Sequence, residues 1–354
     1  MHKHSLVSVC VASAALVACT ALLTVAGPLS PPVGPVASTY KTLTEVEPRI
    51  AINAANTPGD AGSLFVISQP GSYYLTGNIT GVAGKIGIRI STGGVTVDLA
   101  GFVVQGVAGS LSGITSSGFQ ANIRVERGTV RNWGQNGVQV FGDNSILRDL
   151  LVTNNGASGI DAASSFHPRI EGCVALANGG ATAAPSIVGG IGSLILNCSV
   201  TGAQGAGIRL GSSSRAESCT VAGSTLQGFI ATNQSTVIGC TSANNEGAGI
   251  LVLGNDVGVA DSRFINNGIN ATLPADQRAG ILVTASRARI ENNTITLSGG
   301  PGIRLSGAGN IATRNALAAN TGGTISAVAG NWVAPIVPAA GAAANTNGNA
   351  NLEY

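Results

Sequence analysis

Two kinds of apolar pattern divide the chain. Leu6 to Val25 is an almost unbroken apolar run. Beyond about residue 63 the apolar residues come instead in short groups, many of them alternating with polar ones, as in Val95-Thr96-Val97-Asp98-Leu99 and Thr294-Ile295-Thr296-Leu297. Alternation with a period of two is the signature of strands that bury one face. Asn and Gly punctuate the groups, most clearly as Asn154-Asn155, Asn244-Asn245, Asn266-Asn267 and Asn292-Asn293. Asn accepts left-handed backbone and bonds locally, so these pairs predict turns.

The groups recur. A Gly-apolar pair appears at Gly137-Val138, Gly159-Ile160, Gly190-Ile191, Gly207-Ile208, Gly228-Phe229, Gly249-Ile250, Gly280-Ile281 and Gly302-Ile303, with glycine spacings of 22, 31, 17, 21, 21, 31 and 22. A second marker precedes most of these glycines by nine residues: Gly128, Leu150, Cys173, Cys198, Cys219, Cys240, Ser262 and Asn293. Two markers that keep a period near 22 describe a solenoid. Three strands of three to five residues per period predict triangular coils, stacked about 4.8 Å apart as parallel sheets, and parallel crossovers take the right hand. The expected fold is therefore an all-β, right-handed parallel β-helix over residues 63–330. A helical solenoid is the alternative, disfavoured by the Gly, Thr, Val and Asn content.

The ends read differently. Thr42 to Ile52 is the one plausible helix, with Thr42 and Glu45 at capping-box spacing, and a solenoid needs an element to cover its open end. Residues 27–62 are therefore expected to form a leader and cap. Residues 331–354, and 338–354 above all, read as a loose C-terminal tail rich in Ala, Asn and Gly.

Composition sharpens this reading. Glycine is 51 of 354 residues, charged residues are 10 % and aromatics 4 %, which suits a stack of short coils better than a large aromatic core. Lys3 followed by the apolar run, with Thr24-Val25-Ala26 before Gly27-Pro28, reads as a signal peptide over residues 1–26. Two alternatives stay open: a retained membrane anchor, since the run is just long enough to span, and lipidation at Cys19 within Leu16-Val17-Ala18-Cys19. Loss of Lys3 with the signal lowers the formal net charge from +2 to +1. That balance points away from nucleic acid and anionic membranes as partners.

The phrases Gly-Ile-Arg-Leu (207–210 and 302–305), Ile-Glu-Asn-Asn-Thr-Ile (290–295) and Val-Thr-Val-Asp-Leu-Ala-Gly-Phe (95–102) resemble the repeats of pectin-lyase-like parallel β-helix proteins. The stretch from Pro35 to Thr80 resembles the leader of exported bacterial β-helix proteins. This resemblance, over roughly 35–330, implies the fold and a secreted or surface location. It implies little about activity, because the fold hosts lyases, hydrolases, epimerases, esterases and inert spacers.

Candidate chemistry is sparse against that background. Gly-His-Gly, Asn-Thr-Asp, adjacent Asp pairs, Asp-Pro-His-Glu and the calcium repeat Gly-Gly-x-Gly-x-Asp are all missing, so no catalytic residue, metal ligand or cofactor is assigned. Most strand carboxylates have a built-in partner. Arg124/Glu126, Arg169/Glu171, Arg215/Glu217 and Arg289/Glu291 are two apart, hence on one face, and Arg148 takes the glutamate position between Glu126 and Glu171. His167 reads as a surface turn residue, and Asp143, Asp161 and Asp256 as local caps. Cys173, Cys198, Cys219 and Cys240 occupy one position in successive coils. Stacked in register about 4.8 Å apart, they exceed the usual disulfide Cβ separation and are expected to be free thiols. Disulfides remain open, since export permits them.

Two coils are longer. Cys173 to Gly190 is 17 residues and Ser262 to Gly280 is 18, placing insertions near 179–188 and 268–279 at the same corner, four coils apart. Insertions of this kind commonly decorate a binding face. Between and beside them the outward positions read Arg209, Ile230, Leu251, Leu282 and Arg304. The expected contact surface is this stripe of three exposed aliphatics bordered by arginines. The sequence thus favours a non-catalytic surface or extracellular rod for structure, adhesion or carbohydrate binding, with polysaccharide or another envelope protein as partner. A divergent polysaccharide-active enzyme is the alternative.

Overall fold

The alternating groups form three strand columns along a right-handed parallel β-helix. The computed structural model describes residues 48–342 and 345–354. One column is a twelve-stranded sheet running from Ser63–Ile67 to Ile325–Ala327. The other two are joined into one 24-stranded sheet, because Ile123–Arg131 and Ile146–Thr153 run straight through the turn between them. Successive coils pair in parallel and in register, for example Ile208 with Phe229, then Phe229 with Ile250, then Ile250 with Ile281. Each of these fills the interior at 0 % exposure, as do Ile170, Ile195, Val237 and Ile290 from the opposite wall. Burial of each such side chain contributes roughly 1.5–3 kcal/mol.

The markers now have physical causes. At Gly228 a Cβ would lie 2.6 Å from the carbonyl oxygen of Gly249 in the next coil, so the close stacking of coils there admits no side chain. The paired asparagines divide their work. Asn154, Asn244, Asn266 and Asn292 take φ of 51–56° and turn the chain. Their successors are buried and bond between coils. Asn155 Nδ2 donates to Asn178 Oδ1 at 2.9 Å, Asn245 Nδ2 to Asn267 Oδ1 at 2.7 Å, and Asn293 Nδ2 to Asn315 Oδ1 at 3.0 Å. The four marker cysteines are free and buried, and the thiols of Cys173 and Cys198 donate to Leu147 O and Ile170 O.

Three expectations need correction. Of the expected capping helix, Thr42–Glu47 lie outside the described residues, while Ile50–Ala51 is a strand paired with Tyr73–Tyr74. The stack recruits these residues because Ile50 and Ala51 can extend the ladder and Arg49 can reach Asp98. Second, Gly190 is not the repeat glycine of its coil. Ile187–Val188 pairs with Ile160–Asp161 on one side and Ile208–Arg209 on the other, so Ser186 holds the glycine position, 13 residues after Cys173. Ile191 is 46 % exposed, and the first insertion ends before Ile187. Third, the tail is not loose at its end. Asn351–Glu353 pairs with Ile336–Pro338 and with Ala316–Leu317, and buried Asn351 continues the amide ladder by accepting from Asn315 Nδ2 at 3.1 Å. The signal segment and Cys19 lie outside the described residues. No helix among the described residues is long and apolar enough to cross a membrane.

Candidate functional site

Alternation sends every second residue of the twelve-stranded sheet outward. These residues stand in one file: Arg89, Thr115, Gln139, Asp161, Val188, Arg209, Ile230, Leu251, Leu282, Arg304 and Ser326. All five residues of the expected contact stripe are therefore brought together as consecutive rungs. The file is polar at its start, apolar in the middle and polar again at its end.

The two insertions rise at one corner of this sheet, between Val174–Leu176 and Ile187–Val188 and between Arg263–Ile265 and Ile281–Val283. The second is anchored by its own polar groups. Asn270 Nδ2 donates to Glu246 Oε2 at 3.0 Å, and Asn270 Oδ1 accepts from Thr272 N at 3.0 Å. The loop folds flat because Gly268 and Gly299 leave no Cβ in its way: at Gly299 one would sit 2.0 Å from Gly268 O. As a result Ala279 and Ala248 cover Leu282, which is 7 % exposed, and Leu251 packs half-buried against them. The expectation of three exposed aliphatics is corrected here. The loop claims Leu282, and Ile230 and Leu251 are half-buried.

Two openings remain along this face, here taken together as the groove. One, about 430 Å³, is lined by Leu251, Leu253, Leu282, Gln227 and, from the loop, Asp276 and Gln277, with Thr284 and Ser306 opposite. The other, about 360 Å³, lies over Val188 and Arg209 and is edged by Ser212, Thr232 and Asn233. Sites of this size with an apolar floor and a few convergent polar groups suit small ligands or segments of a polymer. Arg209 is exposed and its guanidinium makes no hydrogen bond or ion pair among the described residues, whereas that of Arg304 is held by Ser306 Oγ at 3.2 Å and Ser326 Oγ at 3.0 Å.

The carboxylates are mostly occupied elsewhere. Glu171, Glu217 and Glu291 lie 2.9, 2.9 and 3.0 Å from their own arginines, and Arg148 Nε reaches Glu126 at 2.7 Å. The hydrogen bond from Arg169 holds the Glu171 carboxyl below the usual carboxylate range. Asp161 accepts from Ala163 N, as a local cap does, and also from Gln139 Nε2. Asp256 is not a local cap but pairs with Arg287 one coil on, because Gly258–Ala260 stacks in register with Arg289–Glu291 and so sets Arg287 on its level. Sequence reasoning missed buried Asp98, clamped between Arg49 and Arg127. Its signal was its alignment with Glu126, now seen as direct pairing. Among the described residues, Asp276 alone brings a carboxylate to the lining, whereas glycoside hydrolysis asks for two. Among the described residues no cluster of three or more His, Cys, Asp or Glu side chains is placed to hold a metal.

The family model for the right-handed beta helix region matches residues 77–217, 112–256 and 211–337. The chain belongs to the right-handed β-helix family. No curated protein matches it in sequence. Among solved structures, this β-helix is similar to the A-module of mannuronan C-5 epimerase AlgE4 from Azotobacter vinelandii, with TM-score 0.62 and 17 % identity over 81 % of this chain and 88 % of that one. The AlgE6 A-module of the same organism gives TM-score 0.54 and 16 % identity over 81 % and 88 %. A tailspike protein of E. coli bacteriophage HK620, solved with a pentasaccharide, gives 0.55 and 12 % over 92 % and 70 %. At these identities the likeness establishes the shared fold.

Proposed function

We propose that this β-helix is an exported, non-catalytic polysaccharide-binding rod whose ligand lies along the twelve-stranded sheet, between the two inserted loops. The observation that carries the reading is the groove itself. Its apolar lining of Val188, Leu251, Leu253 and Leu282 suits the C–H faces of sugar rings, and its polar lining of Arg209, Gln227, Gln277, Ser212, Thr232 and Asn233 suits their hydroxyls. The similar epimerase modules are named for mannuronan and the similar tailspike was solved with a pentasaccharide, which supports a glycan as ligand. The single groove carboxylate supports binding without cleavage. The run Leu6–Val25 supports export with release at Gly27, to the surroundings or the cell surface.

A glycan array probed with the mature protein tests this, followed by titration of the best ligand against Arg209→Ala and Leu251→Asp. Weaker binding by both variants is expected. Depolymerisation or epimerisation of the bound glycan would overturn the non-catalytic reading. Undiminished binding by both variants would move the ligand off this face.

A further inference from the structure

We infer that the turns around Arg124 form a second subsite, which takes the carboxylate of an acidic sugar residue. This rests on the reading of the protein as polysaccharide-binding and adds the charge class of the ligand.

The starting point is one broken rung. Three of the four Arg-x-Glu pairs close on themselves at 2.9–3.0 Å. In the fourth, Glu126 is only 6 % exposed and its Oε2 accepts from Arg148 Nε at 2.7 Å. Arg124 Nη1 stays 3.7 Å from the same oxygen, and the Arg124 guanidinium makes no hydrogen bond among the described residues. The cause is the register. Arg148 stands directly over Glu126 and takes it, while Asp98 below is held by Arg49 and Arg127.

Arg124, its guanidinium left with only this long ion pair, borders an opening of about 230 Å³ lined also by Thr96, Asn122, Ile123, Asn144 and Ile146. Asn122 and Asn144 turn the chain with φ of 58° and 54°. Their backbone N–H groups donate to Asp143 O and Phe166 O, and their exposed side-chain amides have no partner among the described residues. Asp143 is on the same turn but does not line the opening. A guanidinium fork with amide donors beside it matches a carboxylate, which accepts two parallel hydrogen bonds.

A neighbouring feature identifies the rest of the ligand as a sugar. Five residues before Arg124, Phe119 is 57 % exposed, and Phe166 beside it is 40 % exposed, with ring centroids 6.0 Å apart at 60°. Phe119 also borders, with Phe141, an apolar opening of about 300 Å³. Three of the seven phenylalanines thus gather beside these turns: Phe119 is at most about 18 Å along the chain from Arg124, and Phe141 O and Phe166 O accept from Gln120 N and Asn144 N. Soluble proteins keep such apolar patches small unless they bind something. The flat C–H face of a pyranose fits the rings, and a uronate carries its carboxylate beside that face.

The test titrates oligogalacturonate, oligomannuronate and the carboxyl-reduced form of each against the mature protein at low and high salt. The parent should prefer an acidic oligomer to its reduced form. Arg124→Gln should weaken the acidic ligand about tenfold or more and leave the reduced one unchanged. Arg124→Lys should restore only part of the loss, since a point charge lacks the fork. Phe119→Ala should weaken both ligands, and Arg215→Gln, in a closed rung, neither. Circular dichroism and melting of each variant confirm that it folds. Equal losses in Arg124→Gln and Arg215→Gln, or no loss in Arg124→Gln, would overturn the subsite. So would a parent that binds acidic and reduced oligomers alike, while leaving the groove reading intact. Absence of binding to any glycan on the array would overturn both.

Discussion

The inner marker column and the outer file of the twelve-stranded sheet both place one residue per coil, yet their chemistry is distributed differently. The inner column passes from Leu150 through four cysteines and Ser262 to Asn293, Asn315 and Asn351, and changes only in blocks. Ser262 N donates to Asn293 Oδ1 at 3.0 Å, and Asn293 Nδ2 to Asn315 Oδ1 at 3.0 Å, each side chain satisfying the coil before it. The outer file changes at almost every step: Gln139, Asp161, Val188, Arg209, Ile230. A buried polar group must be matched by its neighbours or it costs the full penalty of desolvation, so inner residues are chosen together. An outward residue that no loop covers faces water and carries no such demand. Its identity is left for binding.

Substitutions should separate the two columns. The largest effect is expected for Asn315→Leu. It removes the bonds to Ile290 O, Thr313 O and Asn351 Oδ1, strands the Asn293 N–H and leaves the Asn293 amide only its bond to Val259 O. Urea unfolding should show a loss of about 3 kcal/mol or more. A loss below about 1 kcal/mol would mean that the ladder is replaceable. Leu251→Asp, outward but under the 268–279 loop, should cost about 2 kcal/mol and speed proteolysis within the loop. An unchanged melting point and cleavage pattern would return Leu251 to ordinary surface.

Cys219→Ala, which deletes one small inward side chain, should cost about 1 kcal/mol. In the parent all four thiols should react with a labelling reagent only after denaturation, without reductant. The reason is shielding, since all four are buried: hydrogen bonding with Cys173 and Cys219 pushes the Cys198 thiol up, while hydrogen bonding with Cys198 and Cys240 draws Cys219 down. Two missing labels would reveal a bridge. The exposed ladder should contribute less. Hydrogen bonds from Arg169 and Arg287 lower the carboxyls of Glu171 and Asp256 below their ordinary 4.5 and 3.8. Their stabilisation is present above those values and lost as pH falls through the lowered ones. Charge neutralisation by Glu171→Gln should flatten part of that acid limb in melts taken across the range. Smallest of all, Arg209→Ala should leave stability within about 0.5 kcal/mol while weakening the glycan. A large stability loss would show that Arg209 is structural.

The sequence by itself determined the coil. Alternation fixes which residues face inward, glycine and asparagine mark the turns, and a period near 22 stacks equivalents. Periodicity alone therefore puts Arg209, Ile230, Leu251, Leu282 and Arg304 in one file. Pairing of the closed Arg-x-Glu rungs was equally legible, because residues two apart on a strand share a face. The tertiary structure alone decided everything that depends on what lies above and below a coil. Ser186 could replace the repeat glycine, and Gly190 could imitate it, because only pairing to Ile160 and Ile208 sets the register. Leu282 is covered because a loop with its own asparagine and glycine anchors folds back over it. Asn351 returns to the stack because Asn315 offers an amide to a residue 36 positions later. Arg124 is left open because Arg148, one coil on, is nearer to Glu126. Sequence periodicity describes one coil at a time, whereas cover, register and the choice of ion partner are settled by competition between coils.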